Sequence, residues 1–137
     1  MIEYSQDQVL DTIDKAILQE LQTDGRVSNT ELARRVNLSP PAIHARLRRL
    51  EEQGFIRQYA ALLDREKVGY DMLCFVHMNL QLHQQEQMDM VRATILEIPE
   101  VLECYSLTGE YDYLLKVAIR NRKDLERFVM HHLTKIS

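Results

Sequence analysis

Apolar residues in the first part of the chain recur at the spacing of two short helices. After Asp11, a residue type favoured as an N-cap, the apolar positions follow one helical face: Ile13, Ile17, Leu18 and Leu21. Gly25 in the TDGR segment ends this predicted helix. Ser28 and Glu31 then have the spacing of a capping box, which predicts a second helix that runs to Val36.

A third amphipathic helix follows a tight turn. Ser39 is its predicted N-cap, and Pro40 and Pro41 fall in the first turn, where their missing N–H groups cost little. Its inward face carries three apolar residues: Ile43, Leu47 and Leu50. Gly54 ends the helix, and the FIRQYAALLD segment after it has enough apolar, β-branched and aromatic residues to predict a short strand or small hairpin.

The pattern changes after residue 71. The predicted elements are a strand at 72–82, a helix at 85–98, strands at 101–108 and 111–119, and a helix at 123–133. Pro99 stops the first of these helices, and Gly109-Glu110 separates the later strands. This βαββα order is a ferredoxin-like βαββαβ unit without its last strand, because the sequence ends at Ser137. An open sheet edge favours pairing, so we expect an oligomer or an incomplete chain.

Charge is distributed unevenly along this sequence. The whole chain has a formal net charge of -4, but the stretch from Arg26 to Gln58 holds seven Arg against three Glu, which gives +4. A helix that only covered a core would have no need of the arginines that cluster after the two prolines. The local excess of positive charge indicates an acidic partner for this part of the chain.

Three short helices with a tight turn before the last form a helix-turn-helix, whose third helix can enter the major groove of DNA. Arg48 points away from the apolar stripe and can reach a guanine edge or a phosphate, with Arg46 and Arg49 flanking the groove. The candidate DNA-binding residues are Ser28, Asn29, Thr30, Ser39, Pro40, Pro41, His44, Arg46, Arg48, Arg49 and Arg57. The alternative is a solvated helix face whose arginines pair with Glu51 and Glu52.

Other chemistry has little support. Cys74 and Cys104 stand alone in apolar runs, as buried free thiols do, and we expect no metal site, no catalytic residues and no cofactor. The chain has no apolar run long enough to span a bilayer, and its acidic, polar start is unlike a signal peptide. We therefore expect no membrane association and a cytoplasmic protein.

The sequence resembles the Lrp/AsnC family of transcriptional regulators across nearly its whole length. The motifs that carry the resemblance are LDxxDxxIL, QxDGR, ELAxxVxLS, RLxRLEExGxI and YxAxLDxxxxG in residues 10–69, and TGEYDYLLKV at 108–117. The family implies an α+β fold with a winged helix-turn-helix DNA-binding domain at 1–59, a linker at 60–71, and a ligand-sensing and oligomerisation (RAM, ferredoxin-like) domain at 72–137. That last domain lacks its final strand here.

The resemblance also implies partners and a second site. Family members form homodimers through their sheets, often assemble into octamers, bind double-stranded DNA and respond to an amino acid or similar small effector. By position, the effector-binding residues would be Pro99, Leu107, Thr108, Gly109, Tyr111 and Asp112. From the residues alone, Gly109 permits close approach of a backbone and Asp112 can accept from an ammonium group. A two-residue hairpin turn with Asp112 as a surface residue is the alternative.

Two rival functions remain open. Sirohaem decarboxylases resemble the same two-domain arrangement, and an enzyme of that kind would use proton donors and bases chosen from His77, His83, Arg120, His131 and His132. A small-molecule sensor whose helix-turn-helix is only a scaffold is the other. The basic third helix favours a non-enzymatic, sequence-specific DNA-binding regulator, since a decarboxylase has no use for it.

Overall fold

The computed structural model describes residues 10–80 and 85–136, and these fall into two compact units, Met1–Leu62 and Leu63–Ser137. His83 lies outside the described residues, as do the last positions of the strand predicted at 72–82. None of the described helices is long and apolar enough to cross a membrane.

The first unit contains three helices, α1 (Thr12–Thr23), α2 (Asn29–Arg35) and α3 (Pro40–Glu52). Their apolar faces meet in a core of buried residues: Ile17, Leu32, Ala33, Ile43, Leu47 and Leu50. The periodicity of the sequence therefore predicted both the helices and the inward faces of α1 and α3.

Side-chain caps begin each helix of this unit. The Asp11 carboxylate accepts from the Asp14 amide at 2.7 Å, and the Asp14 carboxylate accepts from the Asp11 amide at 3.3 Å, so the full capping box belongs to α1. At α2 the box is only half formed. Ser28 accepts from the Glu31 amide at 3.1 Å, but the Glu31 carboxylate binds arginines instead.

The turn between α2 and α3 is held by the backbone. Asn37 has a φ of 55°, in the left-handed region that Asn tolerates better than most residues. The Leu38 amide donates to the Ala33 carbonyl at 2.9 Å, which closes the end of α2. This turn sets where α3 begins, and the Ser39 hydroxyl caps it by accepting from the Ala42 amide at 3.4 Å.

The strand or hairpin predicted after α3 is not present. Gly54 ends the helix with a φ of 78°, and Phe55 and Ile56 pack against the helical core, but residues 57–64 form no regular element. The segment alternates poorly and finds no partner strand within the described part of the unit. A two-stranded hairpin without further packing is marginal in water, which explains why apolar content alone misled the prediction.

The second unit contains β1 (Met72–Met78), α4 (Gln85–Leu96), β2 (Val101–Ser106), β3 (Tyr113–Ile119), α5 (Arg122–Phe128), a π-helical turn (Val129–Leu133) and α6 (Thr134–Ile136). Its sheet is antiparallel in the order β1-β3-β2, so that Val76 and Cys104 both lie opposite Leu115. The predicted βαββα order is confirmed. The last helix differs from the prediction, because a π turn with its wider spacing interrupts the expected continuous helix.

The two faces of the sheet differ. One face is buried with the helices, and its core includes Cys104, Tyr113, Leu115 and Val117. The other face presents exposed apolar side chains: Leu73, Phe75 and Tyr105. Such a cluster of exposed apolar residues is more common at interfaces than on a solvated surface.

Because Leu115 is 0% exposed at the centre of the middle strand, we expect Leu115→Ala to lower the free energy of unfolding of the second unit by about 2–5 kcal/mol. Leu96→Ala is the matched control, since Leu96 is 44% exposed and should cost less than about 1 kcal/mol. Amide hydrogen exchange in β3 measures the change. Equal losses for the two variants would contradict this account of the core.

Candidate functional sites

The outward side of α3 is a continuous exposed stripe. Pro40, Pro41, His44, Ala45 and Arg48 are exposed, while Ile43, Leu47 and Leu50 face the core. The stripe includes no carboxylate before Glu51. Helix α3 therefore presents one basic, sterically open face, as a helix that enters a DNA groove requires.

A buried carboxylate fixes the opposite side of α3. Asp14 is 1% exposed, and its two oxygens accept from Arg46 Nη1 at 2.9 Å and from Arg49 Nη2 at 2.5 Å. Arg46 Nη1 also donates to Asp11 at 2.6 Å. Together with the Asp11 amide, these bonds satisfy the buried charge. The cluster of Asp11, Asp14, Arg46 and Arg49 joins the start of α1 to the middle of α3.

This geometry changes the interpretation of two candidate residues. Arg46 and Arg49 were expected to flank the DNA groove, and that role stays a prediction. Their guanidinium groups are already engaged inside the protein, because a carboxylate withdrawn from water needs cationic or hydrogen-bonding partners. Asp14 is not among the residues predicted from the sequence, although an acidic residue within the first turn of an otherwise apolar helix face was a usable signal.

Arg48 is held far more loosely. Its Nε lies 2.9 Å from Glu52 Oε1, and the two side chains are 72% and 65% exposed. Exposed pairs of this kind contribute little to stability. Arg48 can therefore exchange Glu52 for a phosphate or a guanine edge at small cost, as the sequence-based prediction requires.

A cleft beside α3 brings several predicted DNA-binding residues together. It has a volume of about 620 Å³ and is lined by Asn29, His44, Arg48, Glu51 and Tyr59 among others. Asn29 and Thr30 are exposed at the start of α2, whereas the Ser28 hydroxyl already caps that helix. Arg57 is exposed in the irregular segment after α3.

The two arginines of α2 are paired with carboxylates. Arg34 and Arg35 both donate to Glu31, and Arg35 also reaches Glu20 at 2.6 Å. Hydrogen bonds from Arg34 and then Arg35 lower the pKa of Glu31 to about 2. Arg34 and Arg35 are thus paired on an exposed helix face, whereas Arg48 stays available on the outward side of α3.

Tyr59 is a member of this surface that the sequence did not indicate. Its hydroxyl donates to Glu51 at 2.9 Å, and partial burial followed by this contact raises the pKa of Tyr59 to about 12. In this geometry Glu51 Oε1 accepts from Tyr59, and Arg48 pairs with Glu52.

The loop at residues 107–112 connects β2 to β3 and is fastened to β1. Asp112 Oδ2 accepts from the Leu80 amide at 2.6 Å, and the Asp112 amide donates to the Met78 carbonyl at 3.0 Å. The ring of Tyr111 stacks on His77, with centroids 4.3 Å apart and planes inclined by 9°. The loop thus has a defined shape set by three contacts to β1 and the residues that follow it.

The two-residue hairpin turn considered as an alternative is not formed. The Leu107 amide donates to the Asp112 carbonyl at 2.8 Å, so the connection spans the residues between them. Gly109 has a φ of 121°, which side-chain-bearing residues rarely adopt. Thr108 and Gly109 are exposed at the tip. The loop brings together Leu107, Thr108, Gly109, Tyr111 and Asp112, as expected from the resemblance.

Pro99 does not join this group. It lies in the turn before Val101, at the start of β2, whereas the loop follows Ser106 at the other end of that strand. Six residues of extended chain hold the two ends roughly 20 Å apart. Within one chain Pro99 therefore lies away from the loop and borders a cavity with Arg120 and His131. Its assignment to the effector site stays a prediction.

The residues proposed for an enzyme are divided by the sheet. His77 is exposed on β1 and stacked on Tyr111, while Arg120, His131 and His132 line the cavity near Pro99. The described residues contain no group of three His, Cys, Asp or Glu side chains placed to hold a metal ion. The geometry gives no constellation that unites the histidines of both regions.

Comparisons with known proteins agree with both units. A family model described as winged helix-turn-helix DNA-binding matches residues 10–57, and a model described as Lrp/AsnC ligand binding domain matches residues 73–137. The leucine-responsive regulatory protein of Salmonella typhimurium is 44% identical over 110 residues, which cover 80% of this chain and 67% of that protein. The chain belongs to the Lrp/AsnC family. Its Escherichia coli K12 relative of the same name is 43% identical over the same coverage.

Solved structures of transcriptional regulators have the same fold. A transcriptional regulator of Neisseria meningitidis in complex with L-Met has a TM-score of 0.84 and 39% identity, and the match covers 93% of this chain and 82% of that one. An AsnC family regulator of Agrobacterium tumefaciens has a TM-score of 0.84 and 34% identity, with coverage of 93% and 84%. These matches confirm the predicted α+β class, with a winged helix-turn-helix followed by a ferredoxin-like domain, although residues 57–64 of this structure form no strand of the wing.

Replacing the buried carboxylate should loosen α3. We expect Asp14→Asn to lower the free energy of unfolding of the first unit by about 2–3 kcal/mol, because it leaves Arg46 and Arg49 without their buried anionic partner while their partial exposure limits the cost. Chemical denaturation measures this change. Glu52→Gln is the control, since Glu52 is 65% exposed and its loss should cost less than about 0.5 kcal/mol. An Asp14 variant as stable as the control would contradict the anchoring role.

Proposed function

We propose that this chain is a sequence-specific, double-stranded-DNA-binding transcriptional regulator that reads DNA with α3 and responds to an amino acid or similar small effector through its second unit. The single observation that carries the proposal is that the three arginines of α3 have different partners and different exposure. Arg46 and Arg49 hold the helix by binding Asp14, and Arg48 stays available on the exposed face. A solvated helix has no need of this arrangement.

The proposed DNA surface centres on the stripe from Pro41 to Arg48 and the adjacent start of α2. Arg48 and His44 face the groove, and Asn29, which lines the same cleft, can donate to a phosphate together with the exposed Thr30 that follows it. Arg57 is proposed to contact the backbone. Ser28 and Ser39 act through their caps, which keep the two helix starts in position.

The proposed domain boundaries divide the chain into three segments with different roles. Residues 1–59 bind DNA, 60–71 link, and 72–137 sense the effector and mediate assembly. We propose a homodimer through the exposed apolar sheet face of Leu73, Phe75 and Tyr105, since solvent exposure of this cluster is costly and two-fold pairing would bury it. A dimer would also present two copies of α3 to a pseudo-palindromic site.

The 107–112 loop is the proposed effector-contacting element. The L-Met complex of the Neisseria relative supports an amino acid as the ligand class, and Asp112 offers a carboxylate to its ammonium group. One oxygen of Asp112 is occupied by Leu80, so the ligand would share this carboxylate with the backbone. We propose no catalytic activity, in keeping with the regulatory relatives, and a cytoplasmic location.

Arg48 offers the direct test of DNA reading. We expect Arg48→Ala to weaken binding to the operator by about 1–3 kcal/mol. If Arg48 contacts a base, the variant should also lose sequence preference at one base pair. If it contacts a phosphate, the slope of log affinity against log salt concentration should fall in magnitude by about 1. Glu52→Gln should act in the opposite direction and tighten binding by about twofold to fivefold, because it releases Arg48. Fluorescence anisotropy with DNA from the region upstream of the protein's own gene, at several salt concentrations, measures the affinity of both variants. Unchanged affinity in both variants would remove Arg48 from the interface.

Two substitutions at one position separate the roles of Asp112. Asp112→Asn keeps an acceptor for the Leu80 amide but removes the charge, so it should abolish the effect of amino acids on DNA binding while leaving the stability of the second unit unchanged. Asp112→Ala removes both and should also lower stability by about 1–2 kcal/mol. Anisotropy with and without amino acids, together with thermal unfolding, measures the two outcomes. A normal effector response in Asp112→Asn would exclude the ammonium contact.

A further inference from the structure

A second depression in the first unit adjoins the cleft beside α3. It has a volume of about 990 Å³ and is formed by the last turns of α1, the turn at Gly25 and the segment that follows α3; we call it the α1 groove. Leu21, Gly25 and Tyr59 line both the α1 groove and the cleft beside α3. The two depressions are therefore neighbours on the surface of this unit.

The arginines of the first unit differ in whether they have a carboxylate partner. Of the seven, five lie within ion-pair distance of an Asp or Glu side chain: Arg34, Arg35, Arg46, Arg48 and Arg49. Among the described residues, neither Arg26 nor Arg57 has such a partner, and both are exposed. Both line the α1 groove. The fold thus brings to one groove two unpaired arginines that lie far apart in the sequence.

The acidic residue nearest to Arg26 in the sequence does not neutralise its side chain. Asp24 Oδ1 accepts from the backbone amide of Arg26 at 3.0 Å, which holds the turn after α1 and leaves the guanidinium group out of that bond. Two positive charges that line one groove raise the local potential and attract an anion. Guanidinium groups match the oxygens of a phosphate particularly well, because their planar N–H groups can donate in pairs.

The segment that carries Arg57 is fixed on both sides of this residue. The Ile56 amide donates to the Leu50 carbonyl at 3.1 Å, and the Tyr59 hydroxyl donates to Glu51 Oε1 at 2.9 Å. Both acceptors belong to the last turn of α3. Partial burial, followed by the contact with Glu51, raises the pKa of Tyr59 to about 12, so the hydroxyl keeps the proton that it donates at neutral pH. Arg57 is therefore held near the end of α3, although its segment is neither helix nor strand.

We propose that Arg26 and Arg57 form a phosphate-binding pair that contacts the DNA backbone beside the major groove entered by α3, and that Tyr59 positions Arg57 for this contact. The pair binds through charge and N–H groups and reads no base. It rests on the proposed function, the binding of DNA by α3, and it extends that interface to the end of α1.

The test compares arginine variants of the full chain in their dependence on salt. Fluorescence anisotropy is measured with DNA from the region upstream of the protein's own gene and with a scrambled duplex of the same length, at several salt concentrations. The variants are Arg26→Ala, Arg57→Ala and the double substitution. Lys15→Ala is the matched control, because it removes one positive charge from an exposed residue of the same unit that lines neither the α1 groove nor the cleft.

We expect each arginine variant to weaken binding roughly threefold to tenfold on both duplexes, since a phosphate contact is independent of sequence. The slope of log affinity against log salt concentration should fall in magnitude by about 1 in each single variant and by about 2 in the double variant. Lys15→Ala should leave both the affinity and the slope unchanged.

A double-mutant cycle tests the positioning role of Tyr59. Tyr59→Phe removes the hydroxyl and should weaken DNA binding about twofold to fivefold, but it should have no further effect when Arg57 is already alanine. Glu51→Gln keeps an acceptor for the hydroxyl and should bind DNA at least as tightly as the unsubstituted chain. A loss from Tyr59→Phe that is equal with and without Arg57 would exclude the positioning role.

Four results would overturn the phosphate-binding pair. Unchanged slopes in both arginine variants, together with weaker operator binding by Arg48→Ala, would remove the pair and leave the proposed function standing. An equal fall in the slope of Lys15→Ala would mean that the slope follows only the charge of the unit. A shift in the monomer–dimer equilibrium of the arginine variants by sedimentation, with an unchanged slope, would assign the α1 groove to a contact between copies. Failure of the unsubstituted chain to bind any DNA at low salt would reject the pair and the proposed function together.

Discussion

The placement of α3 depends on one carboxylate that is kept from water. The Asp14 carboxylate lies where charge is costly, and among the described residues its ion-pair partners are Arg46 and Arg49 on the side of α3 that faces α1. Arg46 and Arg49 are three residues apart, so both point to the same side of the helix and converge on it. Arg48, one position before Arg49, is rotated away. The buried charge thus decides which arginines are structural and which one is available.

In the second unit a carboxylate also fixes the position of a neighbouring segment, here by a hydrogen bond to the backbone. Asp112 fixes the end of the β2–β3 loop by accepting from the backbone after β1, and Tyr111 stacks on His77 of that strand. A loop held in this way presents Thr108 and Gly109 in one defined shape. A loop that is already ordered loses less conformational entropy when a ligand binds. The polar anchors lie at the edges of an apolar core, where they position groups rather than supply most of the stability.

Much of this architecture could be predicted from the sequence because it depends on interactions between residues that are close along the chain. The Ser39 cap with its two prolines, the stop at Gly54 and the alternation in β3 are each decided by neighbouring residues. The partners of Arg46 and Arg49 could not be read in this way, since the nearest carboxylate in sequence was Glu51 and the one in space is Asp14. The distance between Pro99 and the 107–112 loop could not be read for a related reason: a motif shows which residues recur, and only the strand lengths show which ends of the sheet they occupy.

The position of β3 in the middle of the sheet has a consequence for how the second unit folds. Its pairing with β2 joins segments that are close in sequence, whereas its pairing with β1 must bridge the whole of α4. Closing the longer loop costs more chain entropy, so contacts of the first kind form more readily. The β2–β3 hairpin can therefore act as the template on which β1 docks, and the bond between Asp112 and Leu80 closes only when that docking is complete. Refolding of this unit should be limited by a late, long-range step at its first strand rather than by formation of its helices.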